Sequence, residues 1–367
     1  MRPADKPHLI VGALSHPGEK RDHNEDRYSV TAYRVERSGQ PTLLAVVADG
    51  VGGHQAGEVA AEMTVEAVVE RIGRSSGRDP LPTLRAAVAE AARAVIESAD
   101  KDEALAGMGS TLAAVWVIGS RLYLTYVGDS RIYFLRDDHI HQLSNDHTWV
   151  QEALEHEIIS LDEAVDHPHA HVLRRHIGGD KPPEPDLRVR FGTADPAGSS
   201  SQQGLQLEVG DRLLLCSDGL TDLVENQEIA SILAEHSPSS AARELVDLAR
   251  RRGGHDNITV IVLQVPAGQI RGRRINWLGW GLIGTLLAAL LAAAIGLTLA
   301  WRFDLWPFHN AVGQLQSTPS ASQPAILSST QAVVTTATPP PASATVTPTP
   351  GPTATAVPLA TVAPQEP

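Results

Sequence analysis

The chain has 367 residues, with 30 lysines and arginines against 43 aspartates and glutamates, and a formal net charge of −13. All but four of the basic and two of the acidic side chains lie in residues 1 to 266, so that part lacks the basic surface a nucleic-acid backbone requires and suits a site that gathers cations. The one cysteine, Cys216, excludes an internal disulfide, and nothing calls for an oxidising compartment.

The first residues are polar and broken by proline, so no cleavable leader is expected and the domain should start in the cytoplasm. HLIVGALS, residues 8 to 15, reads as a short strand. The polar stretch HPGEKRDHNEDRYSV then delivers Arg21, Glu25 and Asp26 to the start of a second strand, Tyr28 to Val35. Next comes TLLAVVADGVGGHQAGE, residues 42 to 58. Its run from Leu43 to Ala48 lacks alternation and reads as a strand buried on both faces. That strand ends in Asp49 and Gly50, and Gly50, Gly52 and Gly53 let the backbone approach a ligand closely, with His54 and Glu58 following. Gly57 to Ile72 and about Leu81 to Ser98 have the composition of two covering helices.

Residues 110 to 143 read as a β-meander: STLAAVWVI, RLYLTYVG, RIYFL and HIHQL, with two-residue polar turns at Gly119, Ser120 and at Asp137, Asp138. Within it VGDSR places Asp129 at a strand end. Residues 144 to 187 are histidine-rich and the least regular part. On an extended segment His167, His169 and His171 would share one side, which admits a zinc site, but Pro168 and the lack of cysteine partners favour a plain surface segment or a flap over a substrate. Gly192 to Gly204 reads as a tolerated insertion. The strand DRLLLCSDG then repeats the earlier grammar with Asp218 and Gly219, and Asp222 follows. Two helices, about Gln227 to Glu235 and Pro238 to Arg252, lead to GGHDNITVIVLQV, where Asp256 and Asn257 precede the last strand. A cysteine-dependent phosphatase needs an arginine six residues after its nucleophile; position 222 is Asp, so Cys216 is excluded on that count. Asp49, Asp218 and Asp256 at strand ends would repel one another unless cations lay between them, which points to a divalent-metal site.

Trp277 to Trp301 carries no charge over 25 residues, enough at about 1.5 Å per residue to cross a hydrocarbon core of roughly 30 Å. Trp277, Trp280, Trp301 and Trp306 form aromatic belts, and Arg271, Arg273 and Arg274 place the N-terminal side in the cytoplasm. The expected organisation is a catalytic domain over 1 to 266, a basic linker over 267 to 276, a transmembrane helix over 277 to 301 in contact with membrane lipid, and an extracytoplasmic, disordered Pro/Thr/Ser/Ala-rich stalk over 302 to 367. Small residues at Gly284, Ala288, Ala292 and Gly296 offer a face for weak self-association, against the plain abundance of alanine there.

RDHNED, DGVGGHQAGE, VGDSR, LLLCSDGLTD and GGHDNITV, in this order over about residues 8 to 266, resemble the metal-dependent protein serine/threonine phosphatases of type 2C in their bacterial form. The resemblance implies an α+β fold, a four-layer αββα sandwich of two antiparallel sheets flanked by helices, with metals at one end. It implies that Asp49 bridges two Mn²⁺ or Mg²⁺ ions, that the Gly50 carbonyl, Asp218 and Asp256 hold them with Glu25 acting largely through water, and that Arg21 grips the substrate phosphate. A third, weaker ion would use Asp129 and Asp218, with Asp222 in reach, while Asp26 and Asn257 support the ligands. Two such ions lower the pKa of a bridging water that attacks phosphorus in line. Where some members carry histidine after the Asp-Gly pair this chain has Val51, which leaves the general acid open among His54, His23 and a metal-bound water. The implied function is hydrolysis of phosphoserine and phosphothreonine on cytoplasmic proteins, opposing a Ser/Thr kinase. The alternatives are a catalytically silent, membrane-tethered scaffold of the same fold and a receptor-like sensor whose stalk tunes the enzyme.

Overall fold

The computed structural model describes residues 1–52, 55–165, 167–179, 181–191, 202–267, 290–296 and 298–299. The chain divides into two units, residues 1 to 276 and 277 to 367. In the first unit, one sheet runs in spatial order β1 (Arg2–Pro3), β3 (Arg27–Arg34), β4 (Pro41–Ala48), β7 (Leu112–Ile118), β8 (Arg121–Val127) and β12 (Leu205–Gln206). A second runs β10 (His139–Gln142), β9 (Arg131–Arg136), β13 (Arg212–Cys216), β14 (Ile258–Gln264) and β2 (Ile10–His16). Every pairing in both is antiparallel.

The layers follow from which side chains meet. Along β4, Leu43, Ala45 and Val47 join Val115, Leu124, Phe134, Leu215 and Ile261 in a core between the sheets. Leu44, Val46 and Ala48 join a second core with helices α1 (Gln55–Gly73) and α2 (Pro80–Lys101). On the far side Leu214, Cys216 and Val260 pack against α6 (Asn226–Glu235) and α7 (Pro238–Arg251). Three cores separate four layers, helix, sheet, sheet, helix. Strands such as β4 and β13 are buried on both faces, which is why they read as unbroken apolar runs. Each of their fully buried leucines and valines contributes roughly 1.5–3 kcal/mol. Local chemistry sets the helix boundaries: Pro80 and Pro238 occupy first-turn positions, and Glu225 with Glu228 forms a capping box on α6.

The expected four-strand meander is divided. β7 pairs with β8 and β9 with β10, the latter through Asp137 and Asp138, both at positive φ. But β8 and β9 lie in different sheets. Gly128, with φ of 98°, begins a crossover that carries Asp129 and Ser130 from one sheet to the other. The run STLAAVWVI is also split: β6 (Gly109–Ser110) leaves the main sheet for a small one with β5 (Gly50–Val51) and β11 (Ile177–Gly178). The segment expected to be irregular holds α3 (Trp149–Glu155) and α4 (Leu161–Ala164) besides β11. Of the expected insertion, residues 192–201 lie outside the described residues, while Gln203 pairs with both backbone groups of Leu124 at the edge of β8.

Among the described residues no helix is long and apolar enough to cross a membrane. Of the expected span, residues 290–296 and 298–299 are described, as helix. The rest of that span, its tryptophans and arginines, Gly284 and Ala288 of the small-residue face, and the stalk lie outside the described residues.

Candidate functional site

Antiparallel pairing decides where the acids meet. The end of β4 lies beside the start of β3, with Ala48 opposite Arg27, and the end of β13 lies beside the start of β14, with Cys216 opposite Val260. Asp49 follows β4, Asp218 opens the short helix α5 (Asp218–Thr221) after β13, Asp256 precedes β14, Arg21 and Glu25 precede β3, and Asp129 sits on the crossover after β8. All six, with Gly50, line one cavity of about 280 Å³ at a single end of the sandwich. Thr111 fixes Asp49: its hydroxyl accepts the Asp49 N–H at 2.9 Å and its own N–H donates to the Asp49 carbonyl at 2.8 Å. A Cβ on Gly57 would collide with the Glu25 carboxylate, and one on Gly50 with the Gly57 carbonyl. Only glycine at both positions lets the first turn of α1 pack this closely against Gly50 and Glu25.

The charges in this cavity are not balanced. Burial, then the neighbouring Asp26, Asp218, Asp129 and Asp256, pushes the Asp49 carboxyl well above the usual range. Burial, then Asp222 and Asp256, pushes Asp218 up to about 6. Asp129 is raised by burial and then by Asp218 and Asp146. Asp26, behind the site, is pushed up to about 7, chiefly by burial. One oxygen of Asp218, Oδ1, is buried with no hydrogen-bond partner. The described cation at the rim is Arg21, 53% exposed, whose Nη2 donates to Asp256 Oδ2 at 2.7 Å. Convergent carboxylates, most of them half-buried, an orphaned oxygen and a glycine cradle form a donor set of hard oxygens that fits Mn²⁺ or Mg²⁺.

Behind the cavity, a polar network holds the loop that carries Arg21 and Glu25. The Asn257 side-chain carbonyl accepts the Glu25 N–H at 2.7 Å, and its amide donates to the carbonyls of Pro17 and His23, each at 2.9 Å. Asp26 accepts the Ser217 hydroxyl at 2.7 Å, and Ser217 accepts the Thr259 N–H at 2.9 Å.

Asp222 lies with Asp129 and Asp218 in an adjoining cavity, which shares Asp129, Asp218 and His171 with the first. There the ligand atoms of His171, Asp218 and Asp222 lie within 4.8 Å of one another. The three histidines do not form a common face: His167 and His169 pack on Trp149, and His171 alone reaches the cavity. The turn at His167 to Ala170 breaks the extended geometry on which a shared face depends. Of the proposed acids, His54 lies outside the described residues. His23 is exposed and does not line the cavity; it is its backbone carbonyl that Asn257 holds. His171 and Thr111 were not legible as cavity residues from sequence. Thr111 carries no motif of its own, and His171 arrives through a distant pairing of Thr148 with Leu173.

The profile of the Protein phosphatase 2C family matches residues 19–250. The serine/threonine protein phosphatase PstP of Mycobacterium tuberculosis is 36% identical over 257 residues, a match that covers 70% of this chain and 45% of that protein. The chain thus spans about half the length of the mycobacterial relative. The serine/threonine phosphatase stp of Listeria monocytogenes is 34% identical over 252 residues, covering 67% of this chain and 92% of that protein. Among solved structures, the Streptococcus agalactiae serine/threonine phosphatase superposes with a TM-score of 0.61 at 31% identity, covering 70% of this chain and 99% of that one. The catalytic domain of PstP in complex with 2 manganese ions superposes with a TM-score of 0.56 at 35% identity, covering 70% and 97%.

Proposed function

Because the chain belongs to the protein phosphatase 2C family, we propose that its N-terminal unit hydrolyses phosphoserine and phosphothreonine on proteins with the aid of Mn²⁺ or Mg²⁺. The observation that carries this reading is the end-of-sandwich cavity, where Asp49, Asp129, Asp218 and Asp256 converge without enough positive charge to balance them. Asp49, the Gly50 carbonyl, Asp218, Asp256 and Glu25 would hold two ions, and Asp129 with Asp218, and Asp222 within reach, a weaker third. When bound, the ions supply a nucleophilic water at neutral pH and neutralise phosphoryl oxygens. Arg21 offers a planar fork to the phosphate from the rim, and an incoming phosphate competes with Asp256 for it. His171, on the cavity wall, is the described histidine placed to deliver a proton to the leaving alkoxide. Cys216 takes no part: it is buried and its thiol is pushed up to about 12.

A silent scaffold would dispense with at least one of Asp49, Asp218, Asp256 and Arg21, yet all four line the cavity. From the uncharged run 277 to 301 and its flanking arginines we read a single-pass anchor that keeps this unit on the cytoplasmic side, where a Ser/Thr kinase would supply its substrates. The deciding experiment is release of phosphate from a phosphothreonine peptide by the full chain with Mn²⁺, with and without chelator. Turnover that depends on Mn²⁺ supports the reading, and no turnover at any Mn²⁺ concentration overturns it.

A further inference from the structure

We infer that His147 is a positioning residue for Asp129, setting cation affinity on that side of the cavity through one hydrogen bond from the Gly128 N–H to its ring. The inference rests on the reading of Asp129 as a cation ligand. Asp129 lies on a crossover between sheets rather than inside a strand, so no ladder of hydrogen bonds fixes it. The crossover is gripped instead at both flanks by one dipeptide, Asp146 and His147. On one flank the Gly128 N–H donates to His147 Nδ1 at 3.2 Å, and the Gly128 carbonyl accepts the His147 N–H at 2.9 Å. On the other, Arg131 Nε and Nη2 donate to Asp146 Oδ2 at 2.9 and 2.7 Å.

The imidazole is itself immobilised. Because Nδ1 accepts from Gly128, Nε2 carries the hydrogen and faces Asp186 Oδ2 at 3.4 Å. Asp186 is held in turn by Arg188 Nε at 2.9 Å and Nη2 at 2.6 Å. The ring lies 5.3 Å from that of Tyr126, and His147 is 5% exposed. Its carbonyl accepts the Arg174 N–H at 2.7 Å, beside the Thr148 to Leu173 bridge that brings His171 and Leu173 to the cavity. One residue therefore ties two walls of the cavity together. Groups that hold a ligand without touching the metal change affinity by about 10- to 100-fold when removed.

The test separates the two ring nitrogens. In His147→Asn the side-chain oxygen stands where Nδ1 stood and can accept from Gly128, while reach to Asp186 is lost. In His147→Gln the amide reaches Asp186 and the acceptor for Gly128 is lost. Mn²⁺ binding to the full chain is read directly, from the free-ion electron paramagnetic resonance signal, below the melting temperature of every variant. His147→Gln is expected to weaken the lowest-affinity class of Mn²⁺ sites by about tenfold or more and His147→Asn by about threefold or less. Asp129→Asn should abolish that class. Adding His147→Gln to it should then change nothing further. Wild-type binding by His147→Gln, while Asp129→Asn loses the class, overturns the inference and leaves Asp129 as a ligand. Equal weakening by His147→Asn and His147→Gln also overturns it, since the Gly128 bond would not be the cause. Wild-type binding by Asp129→Asn overturns both the inference and the reading beneath it.

Discussion

Asp186 on one side and Asp49, Asp129 and Asp218 on the other are all desolvated by the fold, yet they behave in opposite ways. Asp186 is desolvated, which by itself would raise its pKa, but hydrogen bonds from His147 and Arg188 win and hold it well below the usual carboxylate range. Asp49, Asp129 and Asp218 are desolvated as well, face mainly one another, and are all pushed upward. The first is a closed, neutralised unit that serves the fold. The second is incomplete without added positive charge, which is the ground for the proposal that it is the working end. Burial alone does not separate scaffold from site; whether the charges are balanced does.

The comparison breaks most visibly if the unbalanced group can be depleted without loss. Asp49→Asn or Asp218→Asn should lower kcat by several orders of magnitude in Mn²⁺, and near-normal turnover by either would refute the two-ion assignment. Asp186→Asn should act on stability instead, costing about 1.5 kcal/mol in denaturant melts because the hydrogen bonds from Arg188 and His147 lose their charged acceptor, while the folded fraction still turns over. Arg21→Ala should lower kcat/KM for a phosphothreonine peptide by about ten- to a hundredfold. A fall in thermal stability alone would make Arg21 structural.

The pH dependence of the metal-free protein sharpens the contrast. Asp218 and Asp26 titrate in the folded state near 6 and 7, above their ordinary value of 3.8, so between about pH 4 and 7 the folded state binds more protons than the unfolded one. Stability in chelator should therefore fall as pH rises through that window, and Mn²⁺ should lessen the fall by displacing the Asp218 proton. In chelator at pH 8, Asp49→Asn should stabilise the fold, the sign opposite to its effect on activity. A melting temperature in chelator that climbs from pH 5 to 8 would contradict the charge imbalance. The smallest expected effect is that of thiol alkylation, which should leave turnover unchanged because Cys216 is buried with its thiol protonated.

The sequence by itself determined the pieces whose cause is local. Leu43 to Ala48 and Leu213 to Cys216 are apolar on both faces and had to be central strands. Asp49, Asp218 and Asp256 had to sit at strand ends, because each carboxylate lies within two residues of an apolar run. Helices headed by Pro80 and Pro238 were legible for the same reason, since a turn of chain encodes its own start. Only the tertiary structure decided what lay between partners distant in sequence. It sent β8 and β9 to different sheets, folded Gly109 and Ser110 into a third, brought His171 to the cavity through Leu173, and closed Asp146 and His147 around Asp129. Periodicity records which face of a segment is buried. Which surface it is buried against depends on the packing of all the others, and no window of residues contains that.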